Sequence, residues 1–136
     1  MKKHFTKILC IVLLLCLSIC VIGCTKTVVI VDGDYVVITA DTSKVEEGAN
    51  LLQYMDYLKS QGILDYEISD GLILSINGLS GNSNQYWLLY TSDTENSNNA
   101  WGSCEYDGNI YDSASLGAEQ LVIKDGCVYI WYLQTF

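Results

Sequence analysis

The chain contains no proline and no arginine, and its single histidine, His4, lies close to the N-terminus. The rest of the sequence therefore has no histidine to activate a nucleophile or bind zinc, and no arginine to clamp a phosphate. Seven lysines stand against 16 acidic residues, so the net charge is −9. Because nucleic-acid binding depends on a basic surface, we expect no nucleic-acid partner.

Acidic residues are the one type of catalytic group that is plentiful. A pair of carboxylates could hydrolyse a glycoside, although scattered acids are more typical of a solvated surface. Residues 93–99 place oxygen ligands at alternate positions, but a calcium loop needs glycine at position 6 and glutamate at position 12, where this chain has Asn98 and Cys104. We therefore expect no metal ion, no resident cofactor and no enzymatic activity.

Residues 1–23 have the pattern of a secretion signal. Three lysines precede the apolar run Ile8–Ile22, which is shorter than the roughly 20 residues of a membrane span. The run leads into Val-Ile-Gly-Cys at residues 21–24, which resembles the lipobox of bacterial lipoproteins, whose cysteine is diacylated and becomes the first mature residue. The resemblance implies that a lipid on Cys24 and a short linker, residues 24–26, hold the protein on the extracytoplasmic face of the cell membrane. The alternative is an ordinary signal peptide or an uncleaved anchor.

Residues 27–136 predict a single domain that begins with a hairpin. Two β-branched runs, Thr27–Val31 and Tyr35–Ala40, flank Asp32-Gly33. An Asp-Gly pair between two such runs is a strong signal for a tight turn.

A helix is predicted next. Ser43 and Glu46 fit a capping box, and apolar residues then recur at helical spacing as far as Leu58. Gly62 suits the residue that follows a helix C-terminus. We expect this apolar stripe to pack in the core.

The stretch from residue 71 to residue 91 contains two further strand signals. Leu72–Ile76 and Tyr86–Tyr90 flank a connector of Asn, Gly and Ser, which predicts two antiparallel strands with a polar, mobile connection. Alternation in the first run predicts that Leu72, Leu74 and Ile76 form its buried face.

The C-terminal third predicts a long loop and a second tight hairpin. Thr91–Asp112 is polar and rich in Gly, Asn and Ser, whereas Leu121–Lys124 and Cys127–Leu133 flank Asp125-Gly126. The order of strands and helix predicts an α+β domain in which a mixed sheet of four to six strands packs on one amphipathic helix, as in the β-grasp arrangement.

Aromatic residues are concentrated between Tyr86 and the C-terminus. Neighbours on a strand face opposite ways, so Tyr86 and Trp87 cannot both enter the core, and Tyr129 and Trp131 share a face that Tyr132 does not. Some aromatic surface must therefore be exposed, where a flat apolar ligand could stack, or be covered by the long loop as a satellite core.

Cys104 and Cys127 are the only thiols after Cys24. In an exported protein they could form a disulfide, which would contribute about 3 kcal/mol for a loop of this size. The alternative is a pair of buried free thiols.

Four motifs together resemble the transcobalamin-like C-terminal domain family. They are Ser-Ile-Asn-Gly at Ser75–Gly78, Tyr-Trp-x-x-Tyr at Tyr86–Tyr90, Trp101-Gly102, and an Asp-Gly followed by an aromatic strand at Asp125–Tyr132. The resemblance covers most of the chain after the signal and implies a β-grasp-like fold. In the animal corrinoid carriers, a related domain closes over one face of cobalamin against a large helical domain, which this chain lacks.

The resemblance also implies a ligand site, whose matching positions are Tyr86, Trp87, Tyr90 and Trp101. The sequence thus predicts a membrane-anchored extracytoplasmic lipoprotein that binds a corrinoid or a similar flat ligand through an aromatic face. The alternative is a surface interaction or adhesive module, in which a free apolar edge strand at residues 127–133 pairs with another envelope protein or a transporter component.

Overall fold

A computed structural model describes residues 28–136, which form nine β-strands and one α-helix. The elements are β1 (Val29–Asp32), β2 (Tyr35–Thr39), α1 (Leu51–Ser60), β3 (Tyr66–Ser69), β4 (Leu72–Ile76), β5 (Leu79–Ser80), β6 (Gln85–Thr91), β7 (Ser97–Tyr106), β8 (Asn109–Ala114) and β9 (Val128–Thr135). The predicted signal peptide, the lipidation site Cys24 and the linker at residues 24–26 lie outside the described residues.

The strands form two sheets. The large sheet has the order β1-β2-β9-β6-β8-β7, and the small sheet has the order β3-β4-β5. Every strand pair in residues 28–136 is antiparallel, so the prediction of a mixed sheet is wrong. The reason is that β9 enters the large sheet between β2 and β6 and runs opposite to both.

The position of β9 also corrects the expected free edge at residues 127–133. Val128–Thr135 pairs with β2 on one side and with β6 on the other, so this aromatic strand lies inside the sheet. The outer strands are β1 and β7 instead.

Helix α1 begins later than the sequence indicates. Asn50 is the N-cap, and its side chain and that of Gln53 form a reciprocal capping box, because each accepts from the other residue's main-chain N–H. The predicted box at Ser43 is wrong: residues 42–44 form a short 3₁₀ turn, and Gly48 has a φ of +80°, which an α-helix does not accommodate. The predicted stop is confirmed by Gly62, whose φ is +70°.

The two strands expected to pair with each other lie in different sheets. β4 pairs with β3 and β5, whereas β6 pairs with β9 and β8. The predicted buried face of β4 is largely wrong as well, because Ile73 is buried while Leu72 and Leu74 are 69% and 50% exposed. Apolar residues occupy both faces of this strand, so alternation alone did not identify the inner one.

The C-terminal third contains one more hairpin than expected. The segment predicted as a long polar loop forms most of the hairpin of β7 and β8, with a turn at Asp107-Gly108. The turn at Asp125-Gly126 is present, but the residues before it do not pair with β9. They lie along the start of α1, where Leu51 N donates to Leu121 O at 2.8 Å and Ile123 N donates to Ala49 O at 3.0 Å.

Each face of the large sheet carries its own hydrophobic cluster. On one side, which we call the helix face, α1 and the small sheet pack on residues such as Tyr129 and Trp131. On the other side, the tyrosine face, Val37, Tyr90, Cys104 and Ile130 are buried among further tyrosines.

The large sheet curls so that the β7–β8 hairpin covers the tyrosine face. The rings of Tyr35 on β2 and Tyr106 on β7 lie 5.3 Å apart, although three strands separate β2 from β7 in the sheet. In a flat sheet these strands would lie about 19 Å apart at the usual spacing of roughly 4.8 Å.

Candidate functional site

A groove of about 290 Å³ opens on the helix face, between β6 and the small sheet. Its size is close to the lower end of the range for small-molecule sites, about 300 Å³. All three tryptophans of the chain line this groove, and no charged side chain does. The apolar residues that matter most below are Leu72, Trp87, Leu89, Trp101, Leu116 and Trp131.

Trp87 forms part of the floor of the groove. It lies in β6 opposite Leu133 of β9, and it is only 7% exposed. Its indole Nε1 donates to the main-chain oxygen of Leu79 at 3.3 Å, so the polar atom of this ring has a partner in the small sheet.

Trp131 lies beside Trp87 on the same face of the sheet. It is directly opposite Leu89 and is 5% exposed. Its indole Nε1 is buried and is the one buried side-chain nitrogen or oxygen in residues 28–136 that has no hydrogen-bond partner. A buried donor without an acceptor costs about 1–3 kcal/mol, so natural proteins rarely keep one without a reason.

Trp101 forms the outer wall. The ladder between β7 and β8 skips from Asn98 to Ser103, so the residues between them bulge out of the pairing. Gly102 within this bulge has a φ of +112°, which residues with a side chain rarely adopt. Bulges re-aim side chains, and here Trp101 is 64% exposed at the mouth of the groove.

The four residues predicted as the ligand site do not form one surface. Trp87 and Trp101 line the groove, whereas Tyr86 and Tyr90 do not. Tyr86 is 56% exposed and lies 6.0 Å from the ring of Phe136, centroid to centroid. Residues two apart on a strand share a face. Tyr86 and Tyr90 therefore lie on one side of the sheet, and Trp87 lies on the other.

The tyrosine face is closed by contacts within the protein. Tyr90 Oη donates to Gln134 Oε1 at 2.7 Å, and burial raises the pKa of this phenol. Tyr35 and Tyr132 stack with their ring centroids 4.4 Å apart. Tyr106 Oη lies 3.4 Å from Asp32 Oδ2, which ties the covering hairpin to the first one.

Sequence reasoning missed three groove residues. Alternation in β4 predicts a buried Leu72, no pattern marks Leu116, and period-two geometry puts Trp131 on the face of Tyr129 without indicating a role. Trp131 reaches the groove only because it pairs with Leu89. These two strands are far apart in sequence, so no local pattern predicts the contact.

Of the two alternatives for Cys104 and Cys127, the structure has free thiols and no disulfide, with Cys104 buried and Cys127 half-buried. The physical reason is that Cys104 belongs to the cluster of the tyrosine face, whereas Cys127 packs against that of the helix face. Burial raises the pKa of the Cys104 thiol to about 11.

A second concavity, of about 500 Å³, lies between the segment before α1 and the turn before β9. Glu46, Glu47 and Asp125 line it together with Lys124. Lys124 Nζ is held by Asp93 Oδ1 at 2.7 Å and also by Glu95, so its charge is already paired. No group of three or more His, Cys, Asp or Glu side chains in residues 28–136 is placed to hold a metal ion.

Within the described residues, no helix has the length and apolarity needed to cross a bilayer. No protein-family model, curated protein or solved structure matches this chain.

Proposed function

We propose that this protein is a binding protein whose groove, lined by Trp87, Trp101 and Trp131, holds the apolar part of a ligand. The observation that carries the proposal is that every tryptophan of the chain lines one uncharged groove, and that one of them, Trp131, has a buried indole N–H without an acceptor. An uncharged groove with aromatic walls suits a ligand that is mainly apolar.

We propose a corrinoid as the first ligand to test, because the chain resembles the transcobalamin-like family at Ser75–Gly78, Tyr86–Tyr90 and Trp101-Gly102. A corrinoid is larger than the groove, so only part of it would enter, with Trp101 at the mouth against its flat face. The same resemblance is our reason to propose a β-grasp-like relationship, supported by the order of a first hairpin followed by a helix that packs on the sheet.

The test is a titration of the full chain in detergent micelles with cobinamide, followed by tryptophan fluorescence and corrin absorbance. We expect quenching that saturates in native protein and is at least about tenfold weaker in Trp101→Ala. Tyr86→Ala is the matched control, because Tyr86 is an exposed aromatic residue outside the groove. A flat response at high micromolar cobinamide would rule out a corrinoid as the ligand. Equal titrations for the two variants would rule out the groove as the binding site.

We also propose that a lipid on Cys24 anchors the protein to the extracytoplasmic face of the cell membrane, and that it acts by binding rather than by catalysis. The supports are the lipobox-like residues 21–24 and the absence of histidine and arginine from residues 28–136. Palmitate labelling of the native chain and of Cys24→Ala tests the anchor. If neither is labelled and both stay in the same cell fraction, the anchor is wrong.

A surface interaction module is the second candidate. It is favoured by the outer strand β1, where Ile30 and Val31 are 43% and 55% exposed on an edge without a bulge. Crosslinking in membranes followed by recovery of the protein would capture an envelope partner that pairs with this edge. Recovery of the same partner with Ile30→Lys would argue against β1 as the contact.

A further inference from the structure

The two outer strands of the large sheet are protected to different degrees. β7 is interrupted by the bulge between Asn98 and Ser103, whereas the ladder of β1 with β2 is regular. Val28–Asp32 contains neither lysine nor proline, which natural proteins often place on exposed strands to prevent further pairing. Ile30 and Val31 are 43% and 55% exposed there. The edge at β1 is therefore the one that can accept another strand.

The hydrogen bonds to β2 show which main-chain groups of β1 point outwards. Thr39 N donates to Val28 O at 2.8 Å, so Val28 directs its polar groups at β2. Main-chain groups alternate in direction along a strand, so Ile30 also faces β2, whereas Val29 and Val31 face away from it. Within residues 28–136, neither Val29 nor Val31 bonds through its main chain to a turn or loop, and no strand lies on that side.

This edge is complementary to a second copy of itself that runs antiparallel. With Ile30 facing Ile30 of the second copy, Val29 faces Val31 and Val28 faces Asp32, so the whole described edge is paired. Val29 and Val31 both point their main-chain groups outwards, so each of the two Val29–Val31 pairs exchanges two hydrogen bonds. The half-exposed Val31 and Ile30 side chains gain apolar neighbours in the same register.

The charges near the two ends of the edge fit this register. Asp32 and Asp34 are exposed at the turn after β1, and Lys26 lies two residues before Val28 in the sequence. Antiparallel pairing centred on Ile30 brings position 26 of each copy opposite position 34 of the other, so a lysine meets an aspartate at both ends. A parallel copy would instead set Asp32 beside Asp32. Opposite charges across strands stabilise the pair, and like charges destabilise it.

We propose that two copies of this chain join through β1 as antiparallel neighbours related by a two-fold axis at Ile30. The two large sheets then continue into one, with the bulged β7 of each copy as an outer strand. The same surface is used by both copies, so the contact closes as a dimer and leaves no β1 edge open for further growth. Four main-chain bonds make a small contact, so we expect it to form where chains are concentrated in one membrane.

This inference does not depend on the groove. It concerns the edge that the second candidate function assigns to an envelope partner, and it assigns that edge to a second copy of the chain instead.

The test is cysteine crosslinking of the full chain in membranes of cells that express two differently tagged copies. Opposed residues of a pair without hydrogen bonds lie about 4.5 Å apart between Cα atoms, which a disulfide can span. We expect Ile30→Cys to link the two tags on oxidation with copper phenanthroline, at least about fivefold more than the control does. Leu74→Cys is the matched control, because Leu74 is 50% exposed on a strand of the small sheet. The native chain gives the background from its own thiols.

An exchange of charges tests the register. In the Ile30→Cys chain, Lys26→Glu should lower the yield of linked tags several-fold, because it places a glutamate opposite Asp34. Adding Asp34→Lys to the same chain should restore the yield, since the pair is then reversed rather than broken. A general defect in folding or export would not be restored by the second change.

The outcomes separate this inference from the proposed functions. Equal linkage of Ile30→Cys and Leu74→Cys would overturn the dimer, and so would a yield that does not follow the exchange of charges. If Ile30→Cys is linked to a different protein and not to the second tag, the dimer is wrong and the edge serves an envelope partner. The cobinamide titration reads Trp101 in the groove, so each of these results leaves the groove proposal standing.

Discussion

The two faces of the large sheet are built from similar aromatic side chains but treat their polar atoms differently. On the tyrosine face, the Tyr90 hydroxyl is buried and donates to Gln134, and the covering hairpin packs its own tyrosine against those of the sheet. On the helix face, the Trp131 N–H is buried and has no acceptor, and the cover leaves a groove of about 290 Å³ beside it. The aromatic residues of the tyrosine face are thus closed off within the fold, whereas those of the helix face border a groove.

This difference teaches where to look for function in an aromatic-rich sheet. Exposure alone would have favoured Tyr86, which lies outside the groove. The pairing of an unused buried donor with an uncharged opening points instead to Trp131 and its neighbours. Each prediction below tries to break or sharpen this contrast.

The largest expected contrast is between Tyr90→Ala and Trp101→Ala. Tyr90 is 3% exposed in the closed cluster, so its truncation should destabilise the fold by about 3–5 kcal/mol. Trp101 is mostly exposed, so its loss should change stability by no more than about 0.5 kcal/mol while weakening ligand binding. Urea unfolding measures both. If the two variants lose stability equally, Trp101 is a structural residue and the contrast fails.

A smaller effect is expected at the turn that sets the start of β6. The Cβ atom of a side chain on Gly81 would lie 2.9 Å from the carbonyl carbon of Gln85 and even closer to the carbonyl oxygen of Gln85. Gly81→Ala must therefore displace the main chain. We expect a loss of about 1–3 kcal/mol in unfolding free energy, because overpacking at backbone cannot relax cheaply. Gly117→Ala is the control, since Gly117 has open space and no positive φ. A neutral Gly81→Ala would show that this turn does not position Trp87.

The two buried tryptophans should differ when each is replaced by phenylalanine. Trp87→Phe loses the bond to Leu79 O, whereas Trp131→Phe removes a donor that had no partner. We therefore expect Trp87→Phe to be less stable than Trp131→Phe by about 1 kcal/mol, measured by urea unfolding. The opposite order would mean that the Trp131 N–H finds an acceptor in solution without any ligand.

The two free thiols should differ in their rate of alkylation, because they lie on the two different faces of the sheet. Cys104 lies in the closed cluster with its pKa raised to about 11 by burial, so its reactive thiolate is scarce at pH 8. Cys127 is half-buried at the edge of the helix-face cluster. We expect iodoacetamide to modify Cys127 first, with the Cys104 rate rising only towards pH 11. Mass spectrometry of Cys104→Ser and Cys127→Ser measures each rate, and faster reaction of Cys104 would show that its cover opens.

Local features of the fold followed from the sequence, because their causes are local. The first hairpin formed around its Asp-Gly signal, Gly62 ended the helix, and Tyr86 and Trp87 took opposite faces as period-two geometry requires. The hairpin at Asp107-Gly108 carried the same turn signal, but its strands are too polar to show alternation.

The candidate site depended on long-range pairing and was only half predictable. Trp87 and Trp101 were identified, whereas Leu72 and Trp131 reach the groove only because β4 joins a separate sheet and β9 runs between β2 and β6. A bulge that turns Trp101 outwards has no signature beyond Gly102. Register and sheet membership decide these contacts, and neither is encoded in any short window.

The ion pair of Lys124 with Asp93 is a specific site at which low pH should weaken this fold. Burial alone would raise the pKa of Asp93, but hydrogen bonds from Asn96, Lys124 and the Glu95 amide outweigh it and hold the pKa below its usual range. The stability supplied by this carboxylate is therefore complete at neutral pH and is lost as the pH falls through the lowered value.

Asp93 caps the turn that leads into β7, the strand that carries Trp101. On acidification we expect the outer wall of the groove to loosen before the rest of the domain unfolds, so that Trp101 fluorescence changes ahead of far-ultraviolet circular dichroism. In Lys124→Met this separation should begin at a higher pH. A single coincident transition in both proteins would mean that the wall has no independent acid response.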